Sequence, residues 1–201
     1  MQTIILATRN PGKFREISSI LGDLQIRIVS LLEFPAISDV VEDGITLEEN
    51  ALKKARKVFL ETNIPALADD TGLEVYSLKM APGVWSARYA GENVSYDDNN
   101  RKLLRELKAV STKDRGARFR SVAAFVAADY EKTTEGICTG KIAQGLRGKG
   151  GFGYDPLFIP DGYNVTYGEM SMKEKNKTSH RARAFMEMKN VLSEIYFGKS
   201  R

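Results

Sequence analysis

Cysteine, histidine and long apolar runs are nearly absent from this chain of 201 residues. The single cysteine, Cys138, can form neither an intrachain disulfide nor a multi-cysteine metal site. We therefore expect a reducing, cytoplasmic environment, with Cys138 packed as a small hydrophobe in a strand. No apolar run approaches the ~18 residues that a membrane helix needs, and residues 1–8 carry no basic leader, so we expect no membrane association.

The charge balance is only mildly basic, with a formal net charge of +4. Basic residues are spread along the chain, and the densest group, Lys173, Lys175 and Lys177, is interrupted by Glu174. This balance is compatible with a small anionic ligand and supports nucleic-acid binding only weakly. A hydrophobic content of 42% predicts one soluble globular domain over residues 1–201 with a real core.

Two adjacent carboxylates, Asp69 and Asp70, follow a short apolar run at residues 64–68. If that run is a buried strand of an α/β protein, its carboxyl end faces the crevice where ligands bind. Vicinal acids repel each other unless a cation lies between them, and Mg²⁺ binds one or two carboxylates and completes its shell with water and phosphate oxygens. An ordinary Asp-Asp-Thr-Gly turn is equally compatible with this stretch alone.

Apolar periodicity predicts alternating strands and helices along the chain. We expect strands at residues 3–7, 26–29, 64–68 and 73–78, and a hairpin of long strands at 117–128 and 133–143 around a turn at 129–132. We expect helices at residues 14–21, 46–62 and 95–107, and a final helix with Thr178 or Ser179 as its N-cap. Thr46 and Glu49 have the spacing of a capping box. This alternation predicts an α/β fold with a mixed sheet.

Two loops have residues suited to a nucleotide. The loop at residues 8–13 offers backbone N–H groups and a Lys at a helix entry, which suits phosphate, although a plain strand-to-helix turn has the same pattern. The loop at residues 145–153 holds five glycines, so it is either a flexible hinge or a loop that approaches a ligand closely. Phe152 and Tyr154 could stack on a base or pack in the core. For His180, the only histidine, contact with an anion or base is better supported than catalysis.

Five separated segments are more specific together than any one alone. They are Thr8-Arg9-Asn10-Pro11-Gly12-Lys13, Ala68-Asp69-Asp70-Thr71-Gly72-Leu73, Pro82 to Tyr89, Gly150 to Pro156, and Ser179-His180-Arg181. In this order they resemble the inosine/xanthosine triphosphate pyrophosphatases over essentially the full length. The resemblance implies an elongated mixed β-sheet flanked by helices, two lobes around a central cleft, and a homodimer. It also implies Mg²⁺-dependent hydrolysis of ITP, dITP or XTP to the monophosphate and pyrophosphate, which clears deaminated purine nucleotides from the pool.

The resemblance also implies a role for each matching residue. Asp70 is expected to be the catalytic carboxylate and to bind Mg²⁺ together with Glu42 and Asp69. Glu42 stands next to Val41, which occupies a position where the family often has an acid. The residues expected to bind substrate are Thr8, Arg9, Asn10, Pro11, Gly12, Lys13 and Lys54 at the triphosphate, Phe152, Gly153, Tyr154 and Asp155 at the nucleoside, and Lys175, His180 and Arg181 at the base. Thr71 is also expected to contact the substrate.

Base selection would follow from hydrogen-bonding chemistry. Hypoxanthine and xanthine carry a 6-keto acceptor where adenine carries a 6-amino donor. Lys175 and Arg181 can only donate, so a site that contains them favours the keto bases.

Three other functions are compatible with the sequence. A nucleotide sensor that does not hydrolyse would keep the loops but would need no paired acids. A nucleic-acid-binding protein would use the Lys-rich C-terminal region and would bind DNA or RNA with a steep salt dependence. Hydrolysis of modified pyrimidine triphosphates on a similar fold is distinguished only by a panel of substrates.

Overall fold

The computed structural model describes residues 2–198, which contain seven strands and five α-helices. The strands are β1 (Gln2–Leu6), β2 (Ile26–Ser30), β3 (Ala66–Val75), β4 (Pro82–Gly83), β5 (Gly116–Ala127), β6 (Tyr130–Ile142) and β7 (Phe158–Pro160). The helices are α1 (Pro11–Leu21), α2 (Leu47–Thr62), α3 (Tyr96–Glu106), α4 (Met172–Thr178) and α5 (His180–Phe197). No helix within this described part is long and apolar enough to cross a membrane.

The strands form one mixed sheet in the order β2-β1-β3-β5-β6-β7, with β4 paired to β3. The β1 strand lies parallel to both β2 and β3, whereas β4 on β3 and β7 on β6 are antiparallel. Ile4, Ile5 and Leu6 of β1 are fully buried, as expected for a strand covered on both faces. The predicted α/β class with a mixed sheet is confirmed.

The chain divides into two compact units. Unit 1 comprises the chain up to Asp70, Ser121–Gly136 and the chain from Arg181, and unit 2 comprises Thr71–Arg120 and Ile137–His180. The core of unit 1 includes Ile17 of α1, Phe125 of β5, and Phe185 and Met188 of α5. The assignment of residues 1–201 to one domain stays a prediction.

The core of unit 2 gathers side chains from strands and loops, among them Leu73, Phe119, Cys138, Phe158 and Tyr167. Cys138 is buried in β6, as predicted for a small hydrophobe, and its sulfur accepts a hydrogen bond of 2.9 Å from the Tyr167 hydroxyl. The lone cysteine therefore serves packing in this unit.

Local capping explains where the helices begin. The Asn10 side chain accepts hydrogen bonds from the backbone N–H groups of Gly12 and Lys13, so α1 begins three residues earlier than predicted. Thr46 caps α2 as predicted, but Glu49 accepts from the backbone N–H of Ile45. The sequence pattern did not predict α4, although Ser171 and Glu174 form a complete capping box at its start.

The prediction of separate strands at residues 64–68 and 73–78 is wrong, and so is the alternative of an Asp-Asp-Thr-Gly turn between them. The β3 strand runs without interruption from Ala66 to Val75, through both carboxylates. Asp and Gly favour turns when their backbone is solvated, but here Asp69 and Asp70 are buried and paired with cations, so the extended backbone is retained. The long hairpin is also tighter than predicted, since only residues 128–129 separate β5 from β6.

Candidate active site

The two adjacent acids lie just past the last parallel pairing of β3. The β1 strand pairs with β3 at Ala66 and Leu67 and ends there, so Asp69 and Asp70 extend beyond the carboxyl end of their parallel neighbour. This is where open α/β sheets bind ligands. Successive side chains of a strand point to opposite faces, so the two carboxylates have different surroundings although their residues are adjacent.

Asp69 is held by two cations. Its Oδ1 lies 3.1 Å from Nζ of Lys13, its Oδ2 lies 3.1 Å from Nε of Arg181, and its side chain has no exposed surface. Burial acts to raise the pKa of Asp69, but the charges of Lys13, Arg181 and Lys54 outweigh it and hold that pKa below the usual range. Asp69 therefore stays ionised, with each oxygen facing a cation.

Arg181 lies inside unit 1, with only 2% of its side chain exposed. Besides Asp69, it binds the buried Glu16 of α1, with 2.6 Å between Nη1 and Oε2. These contacts place the guanidinium between two carboxylates, and its expected contact with a base stays a prediction. Sequence reasoning missed Glu16, although its spacing of three residues from Lys13 places both on one face of α1.

Asp70 shares the ammonium group of Lys54 with Glu42. Nζ of Lys54 lies 2.6 Å from Oδ1 of Asp70 and 3.4 Å from Oε1 of Glu42. Burial raises the pKa of Asp70, and the negative charge of Glu42 adds to this effect, while Lys54 and Lys13 oppose it. The Lys54 side chain is only 9% exposed, so this ammonium group is largely shielded from water.

The donor chemistry around Lys54 fits a divalent metal ion. Glu42 and Asp70 are hard oxygen donors whose carboxylates converge on one positive charge, and Glu42 is partly exposed. Within residues 2–198 no group of three or more His, Cys, Asp or Glu side chains is placed to hold a metal. Two carboxylates are nevertheless a usual protein contribution to a Mg²⁺ site, because water and phosphate oxygens complete the shell.

The segment from Thr8 to Lys13 is more tightly bonded than the sequence suggested. Asn10 Oδ1 accepts from the backbone nitrogens of Gly12 at 2.8 Å and Lys13 at 3.2 Å, so these two N–H groups, which the loop was expected to offer to phosphate, are already hydrogen-bonded. Arg9 binds Oδ1 of Asp39 at 2.9 Å and the Ile37 carbonyl. Since the first turn of α1 holds no acidic residue, the positive end of its dipole remains available to an anion.

Unit 2 contains a second polar cluster, centred on the buried pair Asp155 and Lys175. Nζ of Lys175 lies 2.5 Å from Oδ2 of Asp155, and it also lies 4.9 Å from the ring centroid of Phe152 and 5.4 Å from that of Tyr167. Oδ2 of Asp155 also accepts a hydrogen bond of 2.9 Å from the backbone N–H of Phe152. Asp155 thus fixes both Lys175 and the start of the aromatic segment.

The glycine-rich loop is packed against its own unit. A Cβ atom added to Gly151 would lie 2.0 Å from Oδ2 of Asp155, and one added to Gly148 would lie 2.1 Å from the backbone of Gly168. Both glycines have positive φ angles. These glycines therefore serve close packing within unit 2, which neither the hinge nor the ligand-approach interpretation had anticipated.

The remaining predicted residues of unit 2 are mostly buried. Tyr154 packs in the core and donates a hydrogen bond of 2.9 Å to the Ser86 carbonyl. His180 is buried with its ring stacked on Phe119, at 4.4 Å between centroids. Thr71 is half-buried in β3, and Gly153 has a positive φ with open space on its Cβ side. The nucleoside and base contacts of these residues stay predictions.

Comparison with known proteins gives consistent matches over nearly the whole chain. The Ham1 family profile matches residues 4–191. The dITP/XTP pyrophosphatase of Desulforamulus reducens is 45% identical over 194 residues, covering 96% of each chain. The dITP/XTP pyrophosphatase of Geobacter sulfurreducens is 47% identical over 193 residues, covering 96% of this chain and 97% of that protein.

Solved structures agree with the fold. The structure of a HAM1 protein from Coxiella burnetii superposes with a TM-score of 0.87 at 40% identity, covering 96% of this chain and all of the other. The Ham1 protein of Staphylococcus aureus superposes with a TM-score of 0.85 at 36% identity and the same coverage.

Proposed function

The chain belongs to the Ham1 family, and on that premise we propose that it hydrolyses the deaminated purine nucleotides ITP, dITP and XTP. The products would be the nucleoside monophosphate and pyrophosphate, and Mg²⁺ would be required. The observation that carries this proposal is the convergence of Asp70 and Glu42 on Lys54, beside an Asp69 that is already neutralised by other cations. The names of the relatives support the choice of substrates.

We assign the metal site to Glu42 and Asp70. A bound Mg²⁺ would neutralise phosphate charge and lower the pKa of a water molecule for attack. Asp69 was also expected to bind the metal, but its oxygens face Lys13 and Arg181, so we give it the role of positioning those cations. The choice follows from charge, since a third cation gains less at a carboxylate that two cations already surround.

The side chains around the acids supply what phosphoryl chemistry needs from a protein. Asp70, with its raised pKa, is suited to orient a water molecule and accept its proton. Lys54 and Lys13 bring positive charge to the departing pyrophosphate, and no covalent nucleophile is needed. Lys13 stands in the first turn of α1, so the helix dipole adds to its attraction for phosphate.

The nucleoside is assigned to unit 2 by motif. Phe152 offers a half-buried aromatic ring, and Lys175 is a donor held in place by Asp155. Such a donor pairs with a 6-keto oxygen and leaves a 6-amino group unsatisfied. We also propose a homodimer, on the family resemblance alone, which sedimentation at micromolar concentration would test. A cytoplasmic location is proposed from the single cysteine, which is typical of a reducing compartment.

A panel of nucleotides with pyrophosphate detection tests the proposal. We expect release from ITP, dITP and XTP with Mg²⁺, and much less from ATP and from modified pyrimidine triphosphates. Binding of ITP without pyrophosphate release would favour a sensor. A preference for pyrimidine nucleotides would favour a hydrolase of modified pyrimidine triphosphates. Tight binding of DNA with a steep salt dependence would favour a nucleic-acid-binding protein.

A further inference from the structure

We propose that Glu16 is a positioning residue for the triphosphate: by binding Arg181, it leaves Asp69 able to hold Lys13 at the phosphate site. The inference rests on the proposed function for its substrate and on unit 1 alone for its geometry. No motif that carries the family resemblance includes Glu16.

The four side chains form one chain of ion pairs. Glu16 Oε2 lies 2.6 Å from Arg181 Nη1, Arg181 Nε lies 3.1 Å from Asp69 Oδ2, and Asp69 Oδ1 lies 3.1 Å from Lys13 Nζ. Glu16, Arg181 and Asp69 are nearly fully buried, so water cannot screen their charges effectively. The four charges sum to zero, which is the condition for keeping such a set buried.

Lys13 is the member of this chain that can meet a substrate. Its side chain is 19% exposed, compared with 2% for Arg181. Lys13 lies one turn before Glu16 on α1, so both ends of the ion-pair chain are attached to the same helix. A change at Glu16 is therefore transmitted to Lys13 through Arg181 and Asp69.

Removing the charge of Glu16 would change which cations the two oxygens of Asp69 bind. The guanidinium of Arg181 has five N–H donors in a rigid fork and always needs acceptors when it is buried. Without the Glu16 carboxylate, Arg181 would turn to Asp69, which it already contacts, and a bidentate arrangement would engage both oxygens of Asp69. Lys13 would lose its anchor, so phosphate binding would weaken while the Asp70 chemistry stayed in place.

The test compares Glu16→Gln with wild type in pyrophosphate release from ITP. We expect KM to rise at least about tenfold, the loss of roughly one hydrogen bond to a charged group, with kcat changed by less than about threefold. The KM ratio between ITP and ATP should stay constant, because Lys13 contacts a group that both nucleotides share. Glu16→Asp keeps the charge, so its KM should lie much closer to that of wild type than the KM of Glu16→Gln.

Glu74→Gln is the matched control. Like Glu16, Glu74 is a buried glutamate that pairs with arginine. Its partners are Arg118 at 2.5 Å and Arg120 at 3.1 Å, and it lies in unit 2. Both glutamine variants should lower the unfolding midpoint, and only Glu16→Gln should raise KM. If Glu16→Gln fails to fold, Glu16→Asp carries the test: its shorter side chain should raise KM by less than about tenfold with kcat unchanged. A KM equal to that of wild type, or a fall in kcat that exceeds the rise in KM, would contradict the proposal.

Calorimetric binding of inorganic tripolyphosphate gives a readout that does not depend on the identity of the nucleotide. We expect weaker binding in Glu16→Gln and unchanged binding in Glu74→Gln. Unchanged tripolyphosphate binding in Glu16→Gln, a fall in kcat at constant KM, or an altered ratio between ITP and ATP would each overturn the role given to Glu16. Failure of wild type to hydrolyse any nucleotide of the panel would refute the proposed function instead, and the tripolyphosphate result would still decide on Glu16.

Discussion

Asp69 and Asp70 are neighbours in one strand, yet they take part in separate ion pairs: Asp69 with Lys13 and Arg181, and Asp70 with Lys54. The alternation of side chains along β3 is the cause. The pKa of Asp69 is lowered by its cations, whereas burial raises that of Asp70. Asp69 is therefore expected to serve the structure and Asp70 the chemistry. Substitution of Asp69 should mainly lower stability, and substitution of Asp70 should mainly lower activity.

Asp70→Asn should abolish hydrolysis without unfolding the protein. Loss of the carboxylate removes both a metal ligand and the proton acceptor, so we expect kcat for ITP to fall by at least about 10²-fold. Pyrophosphate release and circular dichroism measure the two effects. Near-normal turnover by a folded variant would contradict the assignment of Asp70.

Metal dependence should involve Glu42. Activity should vanish in excess chelator and return with Mg²⁺, and Glu42→Gln should raise the Mg²⁺ concentration needed for half-maximal rate, because one of the two proposed ligands loses its charge. Asp43→Asn is the control, since Asp43 is the adjacent acid and pairs with Lys53 on the surface. If Glu42→Gln and Asp43→Asn need the same Mg²⁺ concentration for half-maximal rate, Glu42 is not a metal ligand.

Asp69→Asn should destabilise the protein in a pH-dependent way. A lowered pKa in the folded state means that the ionised carboxylate stabilises the fold fully above about pH 4, and that this contribution is lost as pH falls through the folded-state pKa. Breaking a buried pair costs about 3–5 kcal/mol near neutral pH. The difference in urea midpoint between wild type and Asp69→Asn should therefore be large at pH 7 and smaller at pH 3. If the urea midpoints of wild type and Asp69→Asn differ by the same amount at pH 7 and pH 3, ionisation of Asp69 does not contribute to the stability of the fold.

Arg181→Ala distinguishes two roles for this residue. If Arg181 reads the 6-position of the base, kcat/KM should fall far more for ITP than for ATP. Because its guanidinium binds Glu16 and Asp69, we expect instead that both substrates fall by a similar factor. Steady-state rates with the two nucleotides measure this ratio. Lys175→Met provides the comparison in unit 2. For this variant we expect kcat/KM to fall more for ITP than for ATP, so that the ratio of the two values becomes smaller.

Local sequence patterns determined most of the secondary structure and the candidate site residues. The apolar runs of β1 and β2, and the polar caps Thr46 and Ser95, act within a few residues, so their effect is visible without the fold. The family resemblance also implied functional roles for Asp70, Lys54 and Glu42, and the structure brings these three together.

Only the tertiary structure decided how the charges are paired. The continuity of β3 through Asp69 and Asp70 depends on cations from α1, α2 and α5, which are up to 112 residues away. Local propensity allowed a turn there, because it cannot include partners that are distant in sequence. For the same reason the sequence did not single out Glu16, and only the fold places the buried guanidinium of Arg181 beside it.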